Sequence, residues 1–113
     1  MKRLEAIIRE DKLSSVVDAL NKIGVGGITV TRSQGRGAGE RPQVRVGRGT
    51  GTITAEFNST STLVTVVDDS KVDSAVSAIM NAASTSKKGD GKIFVTTIDA
   101  AYDITTKQKG NNI

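Results

Sequence analysis

Two stretches of this chain read alike when one is laid over the other at an offset of 59 residues. Ile7 then falls on Val66, Asp11 on Ser70, Lys12 on Lys71, Ser15 on Ser74, Val17 on Val76 and Ala19 on Ala78. Each copy opens with a short apolar run of strand character, at residues 3–8 and 62–67, and continues into a helical stripe. In the first copy the stripe is Leu13, Val16, Val17, Leu20 and Ile23; in the second it is Val72, Ala75, Val76, Ile79 and Met80. Apolar residues spaced three and four apart bring one face of a helix to a core. Asp11 and Ser70 stand where N-caps are expected, and Gly24 where a helix stops. Each stripe leads through a glycine-bearing turn into another strand, at residues 28–32 and 92–98. A β-α-β unit used twice predicts an α+β, ferredoxin-like βαββαβ domain, an open sheet with both helices on one face. Ala6, Ile7 and Ile8 are consecutive and apolar, so the first strand is expected to be buried on both faces.

The middle of the chain breaks this pattern. Residues 33–51 hold six of the twelve glycines and the only proline, Pro42. A segment this poor in apolar side chains cannot offset its own ordering entropy, so a long mobile loop is expected over about 33–56, between strands 2 and 3. Gln43-Val44-Arg45-Val46 and Thr52-Ile53-Thr54 alternate around Gly47-Arg48-Gly49, which suggests a β-ribbon arm inside it. The net charge of +4 sits here: residues 32–55 contain five arginines (Arg32, Arg36, Arg41, Arg45, Arg48) against one acid, Glu40. Loops of this length in a compact domain usually carry function.

A second glycine-bearing segment lies between the alanine-rich end of the second helix, near Ala83, and the last strand. Thr85-Ser86-Lys87-Lys88-Gly89-Asp90-Gly91-Lys92 puts three lysines around two glycines. Glycine tolerates positive φ and lets backbone N–H groups approach an oxyanion, and each ammonium is a point charge for a phosphate. Taken alone, the same residues also read as a helix C-cap whose lysines complement the helix dipole.

Other chemistries find little support. With no His and no Cys, the commonest general base, zinc ligand and thiolate are missing, and no metal site is expected. Asp90 and Glu56 are the acids nearest glycine-rich segments and have no partner at readable spacing; Ser84 and Ser86 lack a base. Gly35-Arg36-Gly37-Ala38-Gly39 is unlike a nucleotide loop that opens a helix. An enzyme is therefore not expected. The alternative reading is a nucleic-acid-binding module of ferredoxin-like fold using the arginine-rich loop, but the aromatics available for base stacking are Phe57, Phe94 and Tyr102 alone. No signal-like or membrane-spanning run is present, so a cytoplasmic protein without membrane insertion is expected.

The order Thr85, three residues, Gly89-Asp90-Gly91-Lys92-Ile93-Phe94-Val95, two residues, Ile98 resembles the C-terminal signature of the PII signal-transduction proteins. The opening, Met1-Lys2-Arg3-Leu4-Glu5-Ala6-Ile7-Ile8-Arg9 with Lys12-Leu13, Ala19-Leu20, Ile23-Gly24-Val25 and Gly27-Ile28-Thr29-Val30-Thr31, resembles their first half. The likeness runs from Met1 to about Thr106 and fails mainly in the middle. It implies one PII-like domain over 1–113, a homotrimer, and ATP or ADP held in clefts between subunits. The loop would be the T-loop, reporting the bound state to a nitrogen-metabolism target such as an ammonium transporter or an assimilation enzyme. Carried over by position, Ile7, Thr29, Gly35, Gly37 and Val66 would line the adenosine part, and Gly89, Asp90, Gly91 and Lys92 the phosphate side. Arg36, Arg41, Arg45 and Arg48 would be the partner-binding residues.

The chain departs from the family at several of these places. The C-terminal arginines that flank the phosphates fall on Asp103 and Thr105, the loop-base glutamine on Gly39, and a ligand-binding lysine near Thr60. Weak or absent 2-oxoglutarate binding is expected from the last two. No tyrosine stands in the loop for uridylylation, Tyr102 lying in the tail, and Thr50 and Thr52 are approximate neighbours of the position phosphorylated in other members. The polar tail from Ala101 is expected to be irregular, and flexible over about 107–113.

Overall fold

The computed structural model describes residues 1–37, 43–45, 52–54 and 57–110. Strand β1 (Lys2–Arg9) leads through a 3-10 turn (Glu10–Lys12) into helix α1 (Leu13–Lys22), and β2 (Ile28–Gly35) follows. Two short strands, β3 (Gln43–Arg45) and β4 (Thr52–Thr54), precede β5 (Asn58–Val67). A second 3-10 turn (Asp69–Lys71), α2 (Val72–Ala83) and β6 (Gly91–Thr97) complete the order. β2, β5, β1 and β6 form one antiparallel sheet in that order, with helices on one side, the arrangement expected from the repeat. β3 and β4 pair antiparallel, Gln43 opposite Thr54, as the alternation in the loop predicts.

The repeat extends into the geometry. Both helices are entered through a 3-10 turn, and turns and helices begin 59 residues apart. The residues before the helices match in backbone angle, Lys12 at φ −101°, ψ −3° and Lys71 at φ −103°, ψ −4°. This corrects the expected caps. Asp11 and Ser70 lie inside the 3-10 turns, and no side chain caps either helix. The turns do the work instead: the N–H of Leu13 donates to the carbonyl of Glu10, and that of Val72 to Asp69. Orphan helix donors are thereby met by backbone.

α1 ends as expected. Gly24 takes φ +83°, and the Val25 N–H returns to the carbonyl of Leu20 at 3.0 Å, a Schellman-type closure. Lys71 Nζ donates to the carbonyl of Ile23 at 2.9 Å, so the second half of the chain holds the end of the first helix.

The core lies between sheet and helices. Leu4, Ala6 and Ile8 of β1 and Leu63, Thr65 and Val67 of β5 are buried against Val16, Leu20, Ala75, Ile79 and Ala83. β1 thus alternates, and its expected burial on both faces is not observed: Ile7 is half-buried and shares the other face with Arg3, Glu5 and Arg9. An antiparallel sheet roofed by two helices on one side leaves its opposite face open. Met80, counted in the apolar stripe, is 52% exposed. The buried Thr65 hydroxyl donates to the carbonyl of Gly27 at 2.7 Å, tying β5 to the entry of β2.

β2 continues to Gly35 and β5 starts at Asn58, beyond the bounds read from periodicity. Hydroxyls join these extensions on the open face: Ser33 Oγ lies 2.9 Å from Thr60 Oγ1 and 3.1 Å from Thr62 Oγ1. The tail, expected to be irregular, closes on itself as far as residue 110. Tyr102 bridges Lys109, the Asp103 N–H donates to Gln108 O, and Asp103 Oδ1 accepts from the Thr106 N–H at 2.9 Å. No helix among the described residues is long and apolar enough to cross a membrane.

Candidate functional site

α2 stops at Ala83 and the chain swings out at Ser84, whose ψ is 134°. Thr85 then makes two bonds to one carboxylate: its N–H donates to Asp90 Oδ2 at 2.7 Å and its hydroxyl to Asp90 Oδ1. Hydrogen bonding by the Thr85 hydroxyl, then by its N–H, holds the Asp90 carboxyl below the usual range. The side chain of Asp90 is therefore committed to closing the turn. Its charge is also partly satisfied, which reduces repulsion toward an anion alongside.

The backbone takes positive φ at Ser86 (64°) and Gly89 (92°) inside this clasp and at Gly91 (112°) just after it. Gly91 has no alternative. A Cβ there would stand 1.9 Å from the carbonyl oxygen of Ile7. Lys87 and Lys88 are exposed in the turn, and Lys92 is exposed at the start of β6, opposite Ile7 in the register. The two oxygens of Asp90 are occupied while three ammonium groups remain exposed, so the turn suits a polyanion such as a nucleotide's phosphates.

The strand registers place the remaining expected site residues. Ile7 lies between Lys92 of β6 and Thr62 of β5, on the face that carries no helix. Thr29 pairs with Val64, and Val66 with Arg3, on the same face. Gly35 ends β2 and Gly37 follows it. Ile7, Lys92 and the turn through Gly89, Asp90 and Gly91 therefore stand together. Thr29, Gly35 and Gly37 do not join them. β2 and β6 are opposite edges of the sheet, about 14 Å apart at the usual strand spacing. Val66 lies four residues along β5 from the position that faces Ile7. Within one chain, the two parts of the expected cleft stand apart on one face, toward opposite edges of the sheet.

Of the loop arginines, Arg36 is exposed just past β2. Arg45 belongs to β3 by its backbone, and Arg41 and Arg48 lie outside the described residues, as do Gly39, Thr50 and residues 111–113. Thr60 and Asp103, where the family pattern fails, both have structural partners here, Ser33 and the Thr106 N–H. Phe94 is 50% exposed on the open face and pairs with Glu5. A carboxylate beside the ring makes a poor platform for stacking bases. The Thr85–Asp90 clasp had no role assigned from sequence. A threonine five residues before an aspartate, with glycine on both sides of the acid, was its one signal.

The family model described as "Nitrogen regulatory protein P-II" matches residues 1–108. A nitrogen regulatory protein P-II of Azospirillum brasilense is 39% identical over 112 residues, covering 99% of this chain and 98% of the relative. That of Synechocystis sp. is 39% identical over 111 residues, 96% of each. A "Nitrogen fixation nifHD region GlnB-like protein 1" of Methanothermococcus thermolithotrophicus is 39% identical over 110 residues, 97% of this chain and 99% of the relative.

Proposed function

Since the chain belongs to the nitrogen regulatory protein P-II family, we propose that it is a cytoplasmic regulator that senses adenine nucleotide and signals through its arginine-rich loop. The turn between α2 and β6 carries this reading. Its carboxylate is clasped by Thr85, its glycines sit at positive φ, and Lys87, Lys88 and Lys92 are exposed around them. ATP or ADP would set its phosphates against Gly89, Gly91 and Lys92, with Asp90 shaping the turn and not touching the anion. Thr29, Gly35, Gly37 and Val66 would meet the adenosine from a neighbouring subunit.

The division of the site between two sheet edges supports a symmetric oligomer. A homotrimer that closes the open faces inward brings the β2 edge of one chain toward the β6 edge of the next. Ile7, Val64, Val66 and Phe94 are apolar on that face and stand half-buried or exposed in the single chain, which suits such burial. Arg36, Arg41, Arg45 and Arg48 follow β2, so a ligand at the β2 edge can bias the loop they stand on. Planar guanidinium forks suit carboxylates or carbonyls on a nitrogen-metabolism target, an ammonium transporter or an assimilation enzyme.

Calorimetric titration with ATP, ADP and 2-oxoglutarate, singly and combined, tests the reading. Saturable nucleotide binding at one site per chain is the expected result, and no heat at millimolar nucleotide removes it. For 2-oxoglutarate the expected result is weak or absent binding, because Thr60 is a hydroxyl held by Ser33 and brings no cation. Micromolar affinity with magnesium and ATP would mean that other groups have taken over.

A further inference from the structure

Asp90 and Gly91 are each demanded by the fold, and they form the only Asp-Gly pair in the chain, which has no Asn-Gly. Thr85 needs the carboxylate to close the turn, and the Ile7 carbonyl leaves no room for a Cβ at residue 91. The combination carries a chemical liability. A side chain on the following residue ordinarily shields its backbone nitrogen from an aspartyl carboxyl, and glycine has none. The pair also lies in an open turn, with Gly89 and Gly91 exposed and Asp90 half-buried.

We propose that Asp90 is a site of spontaneous modification, closing on the Gly91 nitrogen to a succinimide and reopening as isoaspartate, with the Thr85 clasp as the gate. In the first step the Gly91 nitrogen attacks Asp90 Cγ. The new C–N bond replaces a C–O bond, and the carboxyl hydroxyl leaves as water with the amide proton. Water then adds back to the ring. Breaking the bond at Cγ restores aspartate, while breaking the bond at the Asp90 main-chain carbonyl leaves the chain running through Cβ and Cγ. No co-reactant beyond water enters.

The clasp opposes closure twice. The Thr85 N–H, 2.7 Å from Oδ2, and the Thr85 hydroxyl on Oδ1 hold both oxygens, so rotating the carboxyl toward the Gly91 nitrogen gives up both bonds. The same two bonds, joined by the Arg9 charge from β1 and the Lys87 N–H, keep the carboxyl ionised, and a carboxylate has no hydroxyl to lose. Residues 80–83, the last turn of α2, bring no charge to offset this. Isoaspartate would lengthen the turn by one backbone carbon, draw the carboxylate off Thr85 and disturb the fit of Gly91 under Ile7. Lys92 would then no longer be presented as it is here. The inference stands whether or not the turn holds nucleotide.

Ageing the full chain in mildly acidic buffer tests it, with isoaspartate counted by enzymatic methylation of its carboxyl and located by fragment mass spectrometry. Isoaspartate should form at residue 90, and in the folded protein about a hundredfold more slowly than in guanidinium, the scale of two hydrogen bonds to a charged group. Thr85→Val keeps the shape and the N–H but loses the hydroxyl, and should raise the folded rate about tenfold, the scale of one such bond. Thr85→Ser should stay slow, and Asp90→Glu, which would need a larger ring, should give no signal at this position. Thr85→Ala repeats the test should the valine variant fail to fold by circular dichroism. Equal rates in folded and unfolded protein, a folded Thr85→Val or Thr85→Ala variant no faster than wild type, or isoaspartate elsewhere with none at residue 90 overturns it.

Discussion

Gly91 joins the Thr85–Asp90 turn to the sheet, and two independent constraints act on it. Its φ of 112° is outside the range of side-chain-bearing residues, and a Cβ would meet the Ile7 carbonyl at 1.9 Å. Gly91→Ala should therefore destabilise the fold by about 3 kcal/mol or more, the sum of backbone strain and overpacking, read from the urea midpoint. Lys92, one residue on, is exposed, and its loss should spare the fold. Lys92→Ala is expected to weaken ATP by about 1.5–3 kcal/mol, the scale of a hydrogen bond to a charged group, in a titration of the folded variant. Asp90 gives a pH signature. Its carboxyl is held below the ordinary value by Thr85, so the clasp contributes fully above the unfolded value and is lost as pH falls through the lower folded one. The Thr85 and Ser86 amide resonances should shift together in that acid window, and in Asp90→Asn they should not. These residues were legible in the sequence because glycine and lysine spacing is local information. The clasp was less so, because it joins two side chains whose approach depends on the path of the turn.

Helices and strands were readable wherever one face decided them. The stripes of α1 and α2 and the strand runs follow from period, and the 59-residue offset survives even in the backbone angles of Lys12 and Lys71. The caps were not readable, because Asp11 and Ser70 have cap chemistry but sit inside 3-10 turns whose carbonyls already serve the helix donors. A cap replaced by Ala usually costs about 1 kcal/mol. Ser70→Ala should instead change stability by less than about 0.5 kcal/mol, as at an ordinary surface position. A full cap-sized loss in thermal or urea unfolding would mean that the hydroxyl serves the helix after all. β1 misled for a related reason. Three consecutive apolar residues look doubly buried, yet Glu5 and Arg3, ion-paired at 2.8 Å on the other face, mark it as open. Both helices of the repeat cover one face only, and that arrangement outweighs the run of three apolar residues.

For the whole molecule, the repeat made the ferredoxin-like fold legible, but motif spacing did not say how its strand order divides the expected site residues. With β2 and β6 at opposite edges, the expected nucleotide residues fall into two groups on one open face. If a neighbouring chain supplies the second group, as proposed, assembly and ligand binding share a dependence which can be broken at one residue. Phe94 stands on the open face, 50% exposed, with Glu5 as its register partner on β1. Phe94→Asp would set two carboxylates directly opposite each other, a destabilising cross-strand pair of like charges. In a trimer closed around this face, three such pairs would also lose water. The single chain should tolerate the change, because the Leu4–Leu63–Ile79 core lies on the other side of the sheet. The variant is expected to fold, by circular dichroism, and to sediment as a monomer. Its ATP heat should disappear although Lys92, Gly89 and Gly91 are untouched. A monomer that binds ATP with undiminished affinity would place the whole site within one chain. A trimer that persists would mean that the open face is not where the subunits meet.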